Sequence, residues 1–349
     1  FRVTMSGKIV ILGAGGLVGA RLCALVQKQE EMYVGPKETV PLKKIVLFDL
    51  NEPKAVAAEV LADPRVEVQK GDLCDEATIK KLVAPDGCSR VTVIHLAALL
   101  SGYAEDNFDL GMKVNLYGTL NVMERMREVS TELGSPQIYS YVSTDYVACY
   151  NEFNKTHAVT EESFRLSPVS YGVQKACNEL LISDYTRKGF FDGRVGRLSA
   201  VIGRPGWSNS ISYPYTGIFT QPLEGKDYDV PLPMEVPYPC SALNNNVEAL
   251  LYLATKVDSE AIGHNRVVQM PCASFTLSMI WKATQEVAEE EGVKLGSIRQ
   301  VAADAGSTSV KEINVCPHVS SDKAKALGFP MDTDLKEIIR DYIKNYIKK

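Results

Sequence analysis

"KIVILGAGGLVGARL", residues 8–22, decides the fold of this chain, because an apolar, β-branched run passes through glycines into an amphipathic stretch. Gly13, Gly16 and Gly19 stand at the join with the spacing G-x-x-G-x-x-G. Glycines at a strand-to-helix join permit a tight turn, let the backbone approach a pyrophosphate and seat the helix against the sheet. The helix N-terminus then faces the anion. We therefore predict a dinucleotide site here; the alternative is a structural turn that merely needs glycine.

The same alternation of short apolar and longer amphipathic runs continues through "KIVLFDL", "AVAAEVLA", "VEVQKGDL" and "VTVIHLAA". Apolar runs without polar alternation are typical of strands covered on both faces, so they predict a parallel sheet with right-handed crossovers. The pattern extends through a helix at about 107–130, a strand at 138–143, a helix carrying Tyr171 and "GRVGRLSAVIG" at 193–203. The predicted fold class is α/β, a doubly wound parallel-sheet Rossmann fold with a small C-terminal substrate-binding domain.

The periodic pattern breaks after residue 203. Residues 204–240 are rich in Pro, Gly, Tyr and Ser, which predicts loops and short elements over a cleft. Later stretches predict helices at about 246–256, 277–291 and 333–347 and a strand in "NRVVQM". We therefore expect an NAD-binding Rossmann domain over 5–203 and a mainly substrate-binding domain over 204–349, interleaved with the last sheet elements. The four residues before Met5 resemble a leader and are left out of this division.

Composition argues against several classes of partner. The chain has 349 residues, of which 45% are apolar and 23% are charged, as in ordinary globular proteins. A net charge of −5 without any basic run argues against nucleic acid. The longest apolar run, residues 91–100, is too short to span a bilayer, and eight scattered cysteines with four histidines indicate neither a disulfide framework nor a zinc site. We expect a cytoplasmic protein without a metal, acting on a small molecule and not on a membrane.

Two acids follow the next strands. Asp49 ends "IVLFD", where an acid accepts hydrogen bonds from ribose hydroxyls and repels a 2′-phosphate, so NAD is preferred over NADP. It lies 30 residues past Gly19 instead of about twenty, and we assign the excess to an inserted loop at 30–43. Asp72 holds the matching place after the third strand and can reach the adenine amino group. The alternatives are a solvated strand end for Asp49 and a turn or helix cap for Asp72.

A tyrosine precedes a lysine by four residues at three places, so this spacing alone identifies no catalytic pair. The pairs are Tyr33 with Lys37, Tyr171 with Lys175, and Tyr252 with Lys256. The first brackets "VGP", which excludes a helical turn, and the third has no polar strand end upstream. The second follows "IYSYVS", which delivers Ser143 and Thr144 to the sheet edge where α/β proteins bind their ligands.

The chemistry of the second pair suits hydride transfer. A phenol with a pKa of about 10 is a poor base at neutral pH, but a nearby lysine ammonium and an oxidised nicotinamide favour the phenolate. Thr144 can hold the substrate oxygen while Tyr171 takes its proton and a hydride leaves for the cofactor. The alternative is a tyrosine ring and a Lys175 stem that only cover one helix face.

The sequence resembles the extended short-chain dehydrogenase/reductase family over nearly its whole length. The matching motifs are "GAGGLVG", the acid of "FDL", "GDL", "HLAA", "VNLYGT", "STDYV", "YGVQK" and "RLSAVIGRPG". The resemblance implies an NAD(P)-binding Rossmann domain, a catalytic triad of Thr144, Tyr171 and Lys175, and an asparagine at 115 that shapes the helix and the proton relay. By its position alone, Asn115 could equally be a mid-helix residue facing solvent. Family members commonly form homodimers through the helices after the fourth and fifth strands.

A set of residues follows from these motifs as the expected NAD contacts. They are Gly13, Gly16, Leu17, Val18, Gly19, Asp49, Asp72, Leu73, Leu96, Ala97, Ala98, Asn115, Tyr171, Lys175, Leu198 and Val201. No metal site is expected.

Four stretches resemble family members that oxidise, with NAD, the hydroxyl next to the carboxylate of a short sugar acid. They are residues 95–119, 170–210, 270–280 and 319–329. In contrast, "VSTDYVAC" at 142–149 resembles reductases that act on nucleotide sugars, and "SALNNN" at 241–246 lies where a basic residue is expected. Three functions stay open: a dehydrogenase of a small hydroxy acid, a nucleotide-sugar epimerase or reductase, and a non-catalytic dinucleotide-binding protein.

The expected substrate contacts are Ser101, Thr144, Tyr171 and Arg204. A planar guanidinium suits a carboxylate, so Arg204 is the candidate cation, and Ser101 offers a hydroxyl to the polar end of the substrate. Alternatively, Arg204 bonds loop carbonyls beside Pro205, and Ser101 caps a helix or a turn. A nucleoside diphosphate would need more cations than the 204–240 region supplies.

Overall fold

The computed structural model of the protein describes residues 5–35, 38–148, 157–208, 210, 212–301, 318–331 and 334–348. The strands are β1 Gly7–Leu12, β2 Glu31–Gly35, β3 Glu38–Asp49, β4 Val66–Lys70, β5 Arg90–His95, β6 Ile138–Thr144, β7 Asp192–Leu198, β8 Ala200–Ile202, β9 Tyr228–Val230, β10 Tyr238–Ala242, β11 Val267–Gln269, β12 Ala273–Phe275 and β13 Ile298–Gln300.

The α-helices are α1 Leu17–Gln27, α2 Ala58–Leu61, α3 Glu76–Leu82, α4 Ser101–Asp106, α5 Phe108–Gly111, α6 Thr119–Glu132, α7 Ser170–Arg187, α8 Pro214–Leu223, α9 Leu243–Thr255, α10 Ser259–Ile262 and α11 Leu277–Glu291, followed by Asp322–Ala326 and Leu335–Tyr342. A π-helical segment, Met112–Gly118, joins α5 to α6, and a second one, Ile343–Ile347, follows the last helix. The predicted helix at about 107–130 is therefore confirmed as one continuous helical run with a π segment inside it.

The main sheet is parallel except at one edge. Its parallel strands lie in the order β4, β3, β1, β5, β6, β7, β11. The chain builds outward from β1 in one direction through β3 and β4, and then in the other direction from β5 onward, so the order reverses between β1 and β5. This arrangement confirms the predicted doubly wound Rossmann fold, and the reversal is where such sheets bind ligands.

The stretch at 30–43 is a β-hairpin, so the prediction of an inserted loop was wrong. Strand β2 pairs antiparallel with the first part of β3, with Met32 opposite Val40. Both side chains are buried, together with Leu42, in the core beneath α1. The alternation of these apolar residues has the period of two that strands require, and the Gly-Pro tip obscured it. The tip itself, residues 36–37, lies outside the described residues, and so does Lys37 of the first Tyr/Lys pair.

The stretch "GRVGRLSAVIG", a single segment in the sequence pattern, forms two strands. Strand β7 belongs to the main sheet, whereas β8 pairs with β10, which in turn pairs with β12 in a three-stranded sheet. The chain changes sheets at Ser199, at the carboxyl edge of the main sheet.

Residues 204–240 contain more regular structure than expected, because they include the ten-residue helix α8 and strand β9. Phe219 of α8 packs in a core with Ile280 and Ile339.

A buried ion cluster fastens α7 to the sheet. The carboxylate of Glu179 accepts hydrogen bonds from Nε and Nη2 of Arg197 at 2.8 and 2.6 Å, from Nε of Arg165 at 2.9 Å, and from the hydroxyl of Ser143 at 2.6 Å. Burial alone would raise the pKa of Glu179, but Arg197, together with Ser143 and Arg165, outweighs burial and lowers it. Glu179 is therefore ionised, and it joins α7 to β6 and β7 at once.

We predict that Glu179→Gln destabilises the fold by about 3 to 5 kcal/mol, because it leaves two guanidinium groups without their buried counter-charge. The shift of the urea-unfolding midpoint measures this effect. Glu128→Gln is the matched control, since Glu128 is an exposed acid paired with Arg125 and its removal should cost at most about 1 kcal/mol. Equal effects of the two substitutions would contradict the structural role of the cluster.

Candidate functional site

A cleft of about 610 Å³ opens along the carboxyl edge of the sheet, at the reversal between β1 and β5. Its walls are the glycine loop and the chain segments that follow β3, β4, β5, β6 and β7. The sequence-predicted residues that line it are Gly13, Gly16, Leu17, Val18, Gly19, Asp49, Asp72, Leu73, Leu96, Ala97, Ala98, Ser101, Thr144, Tyr171, Lys175, Leu198, Val201 and Arg204. Asn115 is the predicted site residue that does not line this cleft. The fold therefore brings the expected cofactor and substrate residues to one place.

The glycine loop fits a pyrophosphate. Gly13 has a φ of +88°, and a Cβ there would lie 2.7 Å from the amide nitrogen of Ala97. A Cβ on Gly19 would lie 2.1 Å from the carbonyl oxygen of Gly13, so only glycine allows α1 to pack this closely. Gly16 precedes the first turn of α1 without any side-chain cap, which leaves the helix N-terminus available to an anion.

The acid at the end of β3 is held in place by backbone donors. The Gly15 amide donates to Oδ2 of Asp49 at 2.9 Å, and the Asn51 amide lies 3.3 Å from Oδ1. Asp72 accepts a hydrogen bond from the Cys74 amide at 2.9 Å, which lowers the pKa of Asp72. Both carboxylates border the cleft, as a site for ribose hydroxyls and an adenine amino group requires.

Lys175 is a buried residue in the lining of the cleft. Its Nζ donates to the carbonyl oxygen of Val142 at 2.7 Å, and it sits 4.4 Å from the ring centre of Tyr141 and 5.6 Å from that of Tyr171. Burial lowers the pKa of Lys175 to about 7, against the opposing charge of Glu179.

The phenol of Tyr171 lines the cleft and makes no hydrogen bond within the described residues. Burial, and then the charge of Asp145, raise the pKa of Tyr171. The shifts of Tyr171 and Lys175 both favour neutral forms, so removal of a proton from a substrate by this phenol requires additional positive charge nearby.

Thr144 ends β6 opposite Leu198 of β7. Its hydroxyl accepts a hydrogen bond from the Tyr146 amide at 3.3 Å and donates to Oδ1 of Asp145 at 3.4 Å. The hydroxyl is therefore oriented at the mouth of the cleft by the turn that follows. Asp145 itself was not singled out from the sequence, although it stands inside the "STDYV" motif.

Arg204 borders the same end of the cleft. Its Nε and Nη2 atoms are buried and have no hydrogen-bond partner in the described part of the chain. Burial lowers the pKa of Arg204, with Tyr213 opposing this shift. Buried guanidinium donors without a protein acceptor are suited to an anionic ligand. Ser101, the first residue of α4, is buried and also faces this cleft.

Asn115 lies behind the cleft wall and is buried, which excludes the solvent-facing alternative. Its Oδ1 accepts a hydrogen bond from the Leu99 amide at 2.7 Å, while its Nδ2 donates to the Leu99 carbonyl and to Oε1 of Gln174 at 3.0 and 2.8 Å. The asparagine, which sits in the π-helical segment, thus fixes the backbone that leads to Ser101.

His95 was also missed from the sequence. Burial lowers its pKa to about 3, so the ring is neutral. Nε2 lies 3.1 Å from the carbonyl of Ala97 and donates to it, which leaves Nδ1 to accept from the Tyr139 hydroxyl at 2.7 Å. This histidine therefore orients the backbone of a cleft-lining residue. The motif "HLAA" was its signal, but the histidine in it was read as part of the strand.

Tyr33 of the first alternative pair, and both Tyr252 and Lys256 of the other, lie away from the cleft. Tyr33 stacks on the guanidinium of Arg194 at 5.3 Å, and Tyr252 donates to the carbonyl of Leu327 at 3.2 Å.

Among the described residues, no group of His, Cys, Asp or Glu could hold a metal ion. None of the described helices is both long and apolar enough to cross a membrane.

The fold and the cleft define a dinucleotide-binding oxidoreductase of the Rossmann type. Residues 9–230 match the model of the NAD dependent epimerase/dehydratase family, and the chain belongs to this family. It is an NAD-dependent dehydrogenase of the extended short-chain dehydrogenase/reductase type, with NAD as its cofactor. The predicted family and cofactor are thereby confirmed.

Relatives and solved structures cover almost the whole chain. The chain is 33% identical to D-erythronate dehydrogenase from Cupriavidus necator over 97% of its own length and 98% of the relative. It is 28% identical to the enzyme of the same name from Haemophilus influenzae, over 97% of its length and 99% of the relative. A nucleoside-diphosphate-sugar epimerase from Agrobacterium tumefaciens has a similar structure, with a TM-score of 0.85, 29% identity and coverage of 99% and 96% of the two chains.

Proposed function

We propose that the protein oxidises a secondary hydroxyl of a short sugar acid, of which D-erythronate is the model, with the hydroxyl next to the carboxylate as the reacting group. The observation that carries this proposal is Arg204, which lines the cleft and has two buried donors without an acceptor in the described part of the chain. The relatives called D-erythronate dehydrogenase support the same substrate class.

The residues of the chain have separate roles in this reaction. The glycine loop holds the pyrophosphate of NAD and Asp49 holds the adenosine ribose. Bound NAD supplies the acceptor for the hydride that leaves the substrate carbon. Arg204 pairs with the substrate carboxylate through parallel hydrogen bonds and thereby orients the adjacent carbon.

Proton transfer in this proposal involves three side chains. Thr144 holds the reacting oxygen, and Tyr171 removes its proton as general base. The Lys175 Nζ, fixed by the Val142 carbonyl, lies below the phenol ring and supports its negative charge. The 204–349 region would supply the substrate side of the cleft through Arg204, and 5–203 the cofactor side.

A nucleotide-sugar epimerase or reductase is the second candidate, favoured by the similarity to the Agrobacterium tumefaciens epimerase and by "STDYV". Two phosphates need several cations. Lys175 and Arg204 are the cations among the described residues that line the cleft, and the first is engaged with a carbonyl. Asp49, Asp72 and Asp145 add negative charge to its walls. A small monoanion therefore fits the charge of the cleft better.

We predict that Tyr171→Phe keeps the fold and the affinity for NAD but lowers kcat by on the order of a thousandfold, because the general base is lost. Tyr252→Phe is the control, since Tyr252 lies away from the cleft. Steady-state NADH formation and NAD titration check both variants. If Tyr252→Phe proved the more damaging change, Tyr171 would not be the base.

We predict that the enzyme reduces NAD with D-erythronate or L-threonate but not with UDP-glucose, and that Arg204→Ala raises KM for the acids by on the order of a hundredfold, since a charged hydrogen-bonded pair is lost. D-glucuronate at the same concentration tests tolerance of a longer acid. Arg187→Ala, on an exposed surface, is the control. Conversion of UDP-glucose to its epimer without oxidation of the acids, or an Arg204→Ala enzyme with unchanged KM for short acids, would favour the epimerase.

We also propose a cytoplasmic homodimer. Unpaired cysteines such as Cys74 and Cys177 agree with a reducing compartment. The helices after β5 and β6 carry exposed apolar side chains, namely Phe108, Leu110, Tyr117, Val173 and Leu180. A second copy of the chain that covered these helices would remove the apolar side chains from water, so it is the expected partner.

We predict that Leu180→Glu shifts the protein toward monomer, because it places a charge on an apolar face in which Leu180 is 55% exposed in the single chain. Sedimentation velocity measures the change. Leu61→Glu is the control, as Leu61 is similarly exposed but lies on α2. A wild-type protein that sediments as a monomer would refute the dimer.

A further inference from the structure

The acid that follows Thr144 is placed in the wall of the cleft. Asp145 is 3% exposed and begins the turn Asp145–Val147. Its carboxyl group contacts the hydroxyls of Thr144 and Ser199 and the Tyr146 amide. Asp145 also lines the cleft, and a carboxylate oxygen can accept hydrogen bonds from more than one donor. A buried acid in contact with the substrate-holding threonine has no part in the mechanism given above.

The charges around Asp145 come from several elements. The positive charge of Arg197 in β7 lowers the pKa of Asp145. The guanidinium of Arg197 already makes two hydrogen bonds to Glu179, however, and the negative charge of Glu179 balances its positive charge. Tyr171 of α7 is near Asp145, and its side chain is an uncharged phenol because its pKa is raised. The thiols of Cys240 and Cys272 approach from β10 and from the chain before β12. The charged and titratable groups near this carboxyl are thus mostly neutral, and Asp145 is a lining residue of the cleft.

We propose that Asp145 is the specificity-determining residue of the cleft, which accepts a hydrogen bond from a second, non-reacting hydroxyl of the substrate. This inference rests on the proposed function. Thr144 holds the reacting oxygen, so the next side chain in the same wall meets the hydroxyl of the neighbouring carbon, while Arg204 holds the carboxylate. The substrate class is then narrower than 2-hydroxy acids: it is acids with a hydroxyl on each of two adjacent carbons.

The ionisation of Asp145 gives this recognition a signature. Burial raises the pKa of Asp145 to about 7, against hydrogen bonds from Ser199 and Thr144. Below that pH the group is a neutral acid, and above it a carboxylate. A hydrogen bond to a charged acceptor is stronger than one to a neutral acceptor. Preference for a substrate with the second hydroxyl therefore rises as the pH rises through about 7.

A matched pair of substrates isolates this effect. D-erythronate and (R)-2-hydroxybutyrate both have four carbons and a hydroxyl next to the carboxylate, but only the first has further hydroxyls. The ratio of their kcat/KM values cancels the titration of Tyr171, the repulsion of Asp145 on the substrate carboxylate and any change in NAD binding. Calorimetric titration of the two acids with the NAD-saturated protein gives the same ratio for binding, without turnover.

In the wild type we expect the ratio to rise about tenfold or more across neutral pH, as a charged hydrogen bond implies. In Asp145→Asn the ratio should be lower and independent of pH, and Asp106→Asn, an exposed acid of α4, should behave as the wild type. Should Asp145→Asn fail to fold, the wild-type profile alone decides. A wild-type ratio that does not change with pH, or a pH-dependent ratio that survives in Asp145→Asn, overturns the assignment. Oxidation of neither acid would instead overturn the proposed function itself, together with this assignment.

Discussion

The position of the site depends on the buried pairing of Glu179 with Arg197. Glu179 lies one helical turn after Lys175 on α7, and Arg197 lies one residue before the end of β7. The same carboxylate holds the hydroxyl of Ser143, the neighbour of Thr144 in β6. One ion cluster therefore fixes the helix with the proposed base against the strand with Thr144, the residue proposed to hold the substrate oxygen. A buried ion pair contributes little net stability, but its geometry admits few alternatives, and a site that needs fixed positions gains from that constraint.

Burial has one common effect on the ionisable groups around the cleft. It disfavours the charged form of each, so the pKa values of Lys175 and Arg204 are lowered and those of Tyr171 and Asp145 are raised. A wall of this kind, poor in water and in counter-charges, strengthens the interactions of any charge placed in it. The negative charge of a substrate carboxylate would favour the charged form of Arg204. The positive charge of an oxidised nicotinamide would favour the phenolate form of Tyr171. Binding and proton transfer are thus coupled through the same low-dielectric space.

The sequence was sufficient for the parts of the fold that follow from local pattern. The glycine loop, the parallel strands and helix α11 are confirmed because each is decided by residues adjacent in the chain. The hairpin at 30–43 was missed because its alternation is divided by a Gly-Pro tip, and the change of sheet at Ser199 because β7 and β8 read as one apolar run. His95 and Asp145 depend on contacts with Tyr139, 44 residues away, and with Ser199, which no local pattern reveals.

The fold alone does not choose between a sugar acid and a nucleotide sugar, because the same Rossmann sheet and cleft serve both kinds of enzyme. The choice lies in the side chains at the end of the cleft that is away from the glycine loop. A diphosphate brings two negative charges and would have to be met by Arg204 largely alone, beside the acid of Asp145. A four-carbon acid brings one charge, which one guanidinium neutralises, and hydroxyls, which the polar wall around Thr144 and Ser199 can bond. The charge of the wall, more than its shape, therefore favours the smaller substrate.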